Sequence, residues 1–234
     1  MTFRSALVLF AHPDDAEFMC GGTVARWARE GTEVHYVCVT DGSAGSNEPG
    51  MTREALRPIR EAEQRAAAEL LGVRSVTFLG YLDGRLELTW DLRRDVTREV
   101  RRFRPDVLIA PDPSRLWSGN RYINHRDHRV VGEAALCAVM PDAPTRAQFP
   151  ELLEEGFEPF EVPRLWLSSE EGDTFVDIGG TIDIKLRALG CHVSQGIGGP
   201  DVEEWVRKRA AELGARAGVE YGEAFRAFDL RSEA

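Results

Sequence analysis

Cysteine is scarce in this chain, and none of it is paired by spacing. The four cysteines among 234 residues, Cys20, Cys38, Cys137 and Cys191, lie far apart in apolar stretches with no CxxC. That spacing excludes a zinc knuckle, a dithiol redox motif and a disulfide framework, and it suits buried thiols in a reducing compartment. No apolar run approaches the roughly 20 residues of a membrane span, and Met1 to Leu9 lack the layout of a signal peptide. A soluble, cytoplasmic protein is expected. Basic charge is also in deficit, with 29 Lys and Arg against 39 Asp and Glu and a formal net charge of -10. Nucleic acid and anionic membrane are therefore excluded as partners. Repeats, low-complexity tracts and long linkers are missing as well, so a single domain over residues 1–234 is expected. Histidine numbers only five, which makes the placement of each one informative.

What is present is a regular alternation of strand and helix signals. Ala6 to Ala11 is a continuous apolar run of strand length, as in a strand buried on both faces of a parallel sheet. Thr23 to Glu30 has helical spacing and stops at Gly31, and Val34 to Val39 is a second strand. The glycine- and serine-rich stretch Thr40 to Met51 is a loop. A helix from Pro58 to Leu71, a strand from Val73 to Leu79, a charged helix from Asp91 to Phe103 and a strand from Asp106 to Ala110 continue the series. A long loop, Pro111 to Arg126, precedes a helix from Asp127 to Met140. Beyond a proline- and acid-rich segment, Arg164 to Ser168 and Thr174 to Ile178 read as a hairpin extending the sheet, and Thr181 to Leu189 and Asp201 to Ala217 as the last helices. The pattern predicts an α/β fold, a mostly parallel sheet with helices on both faces.

In such sheets ligands bind beyond the carboxyl ends of the strands. Three loops should meet there: His12-Pro13-Asp14-Asp15, Thr40 to Met51, and Tyr122 to His128. The first turn has the setting of a dinucleotide fingerprint but not its GxGxxG, and its carboxylates repel phosphate and attract a cation. A catalytic zinc takes three protein ligands and keeps one position open. His12 and Asp15 can converge on one ion, with His128 as the third ligand. Asp14 is left over as a general base for metal-activated water, His125 as a donor to an oxyanion, and Asp127 as the group that orients His125 and keeps it protonated. A lone His-Asp pair is usually a turn or cap, but two separated clusters at strand ends favour a metal site. His35 reads as a core or sheet-face residue. Lys185 and His192 read equally as a polar helix end or a cavity rim.

At these residues the chain resembles the LmbE-like, or N-acetylglucosaminyl-phosphatidylinositol de-N-acetylase, family. The likeness rests on Ala11-His12-Pro13-Asp14-Asp15 with Gly21-Gly22, and on Asn124-His125-Arg126-Asp127-His128-Arg129. Thr40-Asp41-Gly42, Arg60-Glu61-Ala62-Glu63, Pro105-Asp106-Val107 and the stretch from Lys185 to Gln195 add to it. The resemblance implies a Rossmann-like fold and a zinc-dependent hydrolase that removes acetyl from an N-acetylglucosamine-type amino-sugar conjugate. It implies His12, Asp15 and His128 as metal ligands, Asp14 as general base and His125 as the oxyanion-stabilising histidine. Arg126 stands where the family often has proline. The family's sugar-holding arginine has three contenders, Arg53, Arg57 and Arg60.

Other readings share these residues. An amidase acting on larger thiol conjugates of glucosamine differs only in its acyl group. An iron oxygenase shares the two-His-one-carboxylate ligand set but leaves Asp14 without a task, and a non-catalytic sugar-binding module would use the same cavity. Trp117 and Tyr122 are candidates to stack on a sugar ring. The expected partner is a small amino sugar, with a homo-oligomer left open.

Overall fold

The computed structural model describes residues 3–120 and 122–231. Its centre is a seven-stranded sheet of β1 (Ser5–Phe10), β2 (Glu33–Thr40), β3 (Ser75–Tyr81), β4 (Val107–Pro111), β7 (Arg164–Ser168), β8 (Thr174–Asp177) and β9 (Gly222–Asp229), in the order β3-β2-β1-β4-β7-β9-β8. The first five strands in that order run parallel, while β9 is antiparallel to both β7 and β8. β5 (Trp117–Ser118) and β6 (Tyr122–Ile123) form a separate small hairpin in the loop after β4. The helices are α1 (Asp15–Arg29), α2 (Arg53–Leu71), α3 (Trp90–Phe103), α4 (Arg126–Cys137), α5 (Glu151–Glu154), α6 (Ile182–Leu189) and α7 (Pro200–Ala217).

Alternation along β1 divides the core. Ala6, Val8 and Phe10 face one layer with Ala67, Ala68 and Leu71 of α2, Ala188 and Leu189 of α6 and Val206 and Ala210 of α7. Leu7 and Leu9 face the other, with Leu92, Val96 and Val100 of α3 and Val131, Ala134 and Ala135 of α4. Both faces of β1, β4 and most of β2 are thereby dry, as their unbroken apolar runs require, while β3 at the edge of the sheet is only partly buried.

The C-terminal third departs from the sequence reading. Arg164–Ser168 and Thr174–Asp177 are not a hairpin: β9, a strand the apolar pattern did not reveal, enters between them and pairs with both. Only the first half of β9 is buried, so its pattern is too short to register as a strand. α2 starts earlier than expected, at Arg53, because the Thr52 hydroxyl caps it by accepting the Ala55 N–H at 3.2 Å.

α1 also starts earlier, at Asp15 rather than Thr23, and is interrupted at Cys20 (φ -152°). The free backbone groups at the break find buried partners. Glu223 of β9 accepts the N–H groups of Gly22 and Thr23 at 3.0 and 2.7 Å, and Lys185 of α6 donates to the Phe18 carbonyl at 2.9 Å and to Glu223 at 2.6 Å. The break is stitched by an ion pair that is nearly inaccessible to water.

Candidate metal and catalytic site

The loops after β1, β2, β3 and β4 meet above the carboxyl ends of the strands, where the order reverses between β1 and β4. His12 follows β1, and His128 lies in the first turn of α4. Three side chains converge there. His12 Nδ1 lies 3.2 Å from His128 Nε2 and 3.3 Å from Asp15 Oδ2, and His128 Nε2 lies 3.1 Å from Asp15 Oδ1. Bonds of about 2.0–2.1 Å around a tetrahedral zinc place neighbouring ligand atoms about 3.3–3.4 Å apart. Each separation is close to that spacing, with the two imidazoles facing different oxygens of Asp15, and two imidazoles with a carboxylate are a set that can hold a divalent metal.

Hydrogen bonds behind the triangle select the tautomers. Asn124 Oδ1 accepts from His128 Nδ1 at 3.0 Å, which leaves the Nε2 lone pair facing the triangle. On His12, Nε2 faces Asp127 Oδ2 at 3.3 Å and Asp83 Oδ1 at 3.2 Å, which leaves Nδ1 facing it. Asp15 is fixed by the His12 backbone N–H, which donates to Oδ2 at 2.7 Å.

Asp14 stands outside the triangle. Its φ of 110° lies in the left-handed region, which costs a non-glycine residue roughly 1–3 kcal/mol and must be held by its surroundings. Arg60 holds it: one guanidinium NH2 donates to the Pro13 carbonyl and, at 3.0 Å, to Asp14 Oδ2, while Nη1 donates to the Gly42 carbonyl at 2.8 Å. Gly42 (φ 62°) is needed there, since a Cβ would stand 2.8 Å from Pro13 Cδ and 3.1 Å from the guanidinium. Burial, and then the charge of Asp15, push the Asp14 carboxyl well above its usual range, against the pull of Arg60.

The other carboxylates move the opposite way. Burial opposes their charge, yet His128 and His12 hold Asp15 well below its ordinary value. Asp83 is drawn down to about 2 and Asp127 is lowered, each against burial, chiefly through hydrogen bonds to His12. Those bonds with Asp127, Asp15 and Asp83 in turn outweigh burial and raise His12 in the metal-free chain. Environments that separate similar groups in this way are how sites divide acid from base roles.

His125 caps α4, its Nδ1 accepting the Asp127 backbone N–H at 3.2 Å. The proton of the neutral ring therefore sits on Nε2. Burial, and then His12, lower its pKa, so the ring is neutral near pH 7. Its ring centre lies 4.8 Å from that of His12 and 5.5 Å from that of His128. This differs from the expectation for Asp127. The Asp127 carboxylate bonds His12 and the Gly84 N–H instead of His125, and only its backbone orients the His125 ring.

The three arginines separate by position. Arg60 is buried against the Asp14 turn. Arg57 is exposed and pairs with Glu61 along α2 at 2.8 Å. Arg53 bridges Ser43 Oγ and the Asp83 carbonyl, at 3.0 and 3.1 Å, at the edge of the loops that flank His12. Tyr122 is 44% and Trp117 62% exposed on the small hairpin, and the Tyr122 hydroxyl approaches Asn124 Oδ1 at 3.4 Å. Sequence reasoning missed Asp83 and Gln64, and it quoted Asn124 in the motif without giving it a task. A signal for Asp83 existed in Leu82-Asp83-Gly84, an acid in a turn at the same end of the sheet.

His35 lies in β2 with Nδ1 2.7 Å from Ser75 Oγ, and His192 is fully buried against Glu17 at 3.1 Å, away from any rim.

Residues 7–139 match the family model described as PIG-L, GlcNAc-PI de-N-acetylase. The chain belongs to the PIG-L family. Among its relatives, the diacetylchitobiose deacetylase of Thermococcus kodakarensis is 30% identical over 228 residues, covering 95% of this chain and 82% of that protein. The N,N'-diacetylchitobiose deacetylase of Pyrococcus horikoshii, solved with an inhibitor, superposes with a TM-score of 0.88 at 32% identity, over 97% of this chain and 84% of that one. The 4-carboxy-2-hydroxymuconate hydratase of Pseudomonas putida KT2440 superposes with a TM-score of 0.81 at 24% identity, covering 100% and 99% of the two chains. At that identity the hydratase shares the fold alone, so the PIG-L fold by itself does not fix the reaction.

Proposed function

We propose that this PIG-L protein is a zinc-dependent N-deacetylase that hydrolyses the acetamide of an N-acetylglucosamine-type conjugate. The observation that carries the proposal is the donor triangle of His12, Asp15 and His128, with Asp14 and a neutral His125 beside it but outside it. The deacetylase names of the two relatives at 30% identity or more support the acyl group and the sugar class.

His12 Nδ1, Asp15 and His128 Nε2 would hold the ion. When bound, it supplies Lewis-acid polarisation and a water acidic enough to react near pH 7. Asp14, held by Arg60 at one oxygen, accepts the proton of the attacking water with the other. A carboxyl pushed upward by burial retains that proton long enough to deliver it to the leaving nitrogen as the C–N bond breaks, giving acetate and a free amine. His125 donates its Nε2–H to the carbonyl oxygen as charge builds there. Asp127 acts one step back, holding His12 in the tautomer that points Nδ1 at the ion. Arg53 and Tyr122 stand at the rim, where the hydroxyls and ring face of a sugar would be met, while Arg57 is engaged with Glu61 along the exposed side of α2.

The test is amine release from a panel of N-acetylglucosamine conjugates after chelation and after re-addition of zinc. Stoichiometric amine and acetate that appear only with metal are expected. Metal-independent release, or no release from any conjugate, contradicts the proposal.

A further inference from the structure

The contacts that keep Asp14 in its left-handed conformation run away from the cavity into a buried chain of side chains. The Asp14 backbone N–H donates to Gln64 Oε1 at 2.9 Å. Gln64 turns its Nε2 to Glu17 Oε1 at 3.0 Å, and the second oxygen of Glu17 meets His192 Nε2 at 3.1 Å. Glu17, Gln64 and His192 have no exposed surface at all. The chain joins α1, α2 and the turn that follows α6, three segments far apart in sequence.

Chemistry fixes its direction. A carboxylate cut off from water needs donors at its oxygens, and Glu17 has Gln64 at one and His192 at the other. Because Glu17 accepts, Gln64 must present its NH2 to Glu17 and its carbonyl to Asp14. Reversing the amide would set donor against donor at the Asp14 N–H. Among the described residues His192 Nδ1 has no partner, so the hydrogen bond of its ring is spent on Glu17.

We infer that Glu17, Gln64 and His192 are positioning residues for Asp14: together they lock the one amide orientation that holds residue 14 at positive φ and aims its carboxylate into the cavity. The inference rests on the role of Asp14 in the proposed reaction. Arg60 fixes the carboxylate itself, whereas this chain fixes the backbone that carries it. The hydrogen bonds of Glu17, Gln64 and His192 described here do not reach His12, Asp15 or His128, so their loss acts on turnover and not on the metal. A leucine at position 64 leaves the Asp14 N–H without an acceptor and Glu17 with a single donor. A leucine at position 192 strands a Glu17 oxygen and frees the amide to turn.

The test compares Gln64→Leu, His192→Leu and His192→Gln, each alone and combined with Asp14→Asn, in zinc-loaded protein. kcat and KM for amine release and the zinc dissociation constant are measured. A misplacement of this kind lowers kcat about 100-fold in the two leucine variants, with KM and zinc affinity held within a factor of about three. His192→Gln keeps a donor toward Glu17 and recovers most of the loss, and none of the three lowers the residual rate of Asp14→Asn further. If the leucine variants do not fold, Gln64→Met, which keeps the unbranched length but offers the Asp14 N–H no carbonyl, is expected to show the same split. An unchanged kcat in folded Gln64→Leu or Gln64→Met, or an equal loss in the Asp14→Asn background, overturns the inference alone. A wild type inactive on every conjugate overturns the reaction and the inference with it.

Discussion

Asp14 and His125 are tuned in opposite senses, and the tuning suits their tasks. Burial and the charge of Asp15 raise the Asp14 carboxyl toward the range where it can both take and return a proton, while burial and His12 keep His125 neutral. A neutral ring whose Nδ1 is already an acceptor has one proton to offer, at Nε2. His125→Ala is therefore expected to lower kcat about 10²- to 10³-fold with zinc still bound, as the loss of one oxyanion donor does elsewhere. Steady-state kinetics with metal analysis checks this, and a loss confined to KM would assign His125 to substrate binding instead. At this scale the sequence was informative where residues sit in motifs. The structure brings His12, Asp15 and His128 together from two strand ends that the apolar runs locate. Asp83 and Gln64 stayed hidden because they act through tertiary hydrogen bonds to residues dozens of positions away, which no spacing along the chain encodes, while Asn124 sits in the motif but shows its task only once α4 turns His128 Nδ1 toward it. Asp127 was placed at the site but paired with the wrong ring, since a side chain two residues from His125 bends as easily toward His12.

Elements tell a similar story. The central parallel strands β1, β2 and β4 were readable because both faces are largely buried, so their apolar runs are continuous. α1 was not readable in its first half, where Asp15 and Glu17 face inward and Gly21-Gly22 suggests a stop. What sustains it there is tertiary, including the Lys185–Glu223 pair at the Cys20 break. Both side chains of that pair are nearly inaccessible, and Glu223 also caps two N–H groups of α1. Lys185→Ala strands a buried carboxylate and is expected to cost about 3–5 kcal/mol. Urea unfolding measures it, and a loss under about 1 kcal/mol would show that the pair does not hold the break. β9 escaped notice because half of it is exposed, and its insertion between β7 and β8 turned an expected hairpin into a three-strand antiparallel edge.

The whole molecule carries two apolar layers, one on each face of the sheet, and neither depends on the ion. Chelation is therefore expected to leave far-UV circular dichroism native and to remove only the binding contribution to stability, about 2.7 kcal/mol where free metal stood at 100 times Kd. A protein that loses cooperative melting on chelation would contradict this. The net charge of -10 has a local counterpart at the site, where Asp14, Asp15, Asp83 and Asp127 crowd around His12. The central claim is that three of the clustered groups bind the ion while Asp14 moves the proton. Asp14→Asn tests it most directly, with zinc content and amine release measured on the same preparation. One zinc per chain with kcat reduced about 10³- to 10⁴-fold is predicted. Retained turnover, or loss of the zinc together with activity, would contradict the account.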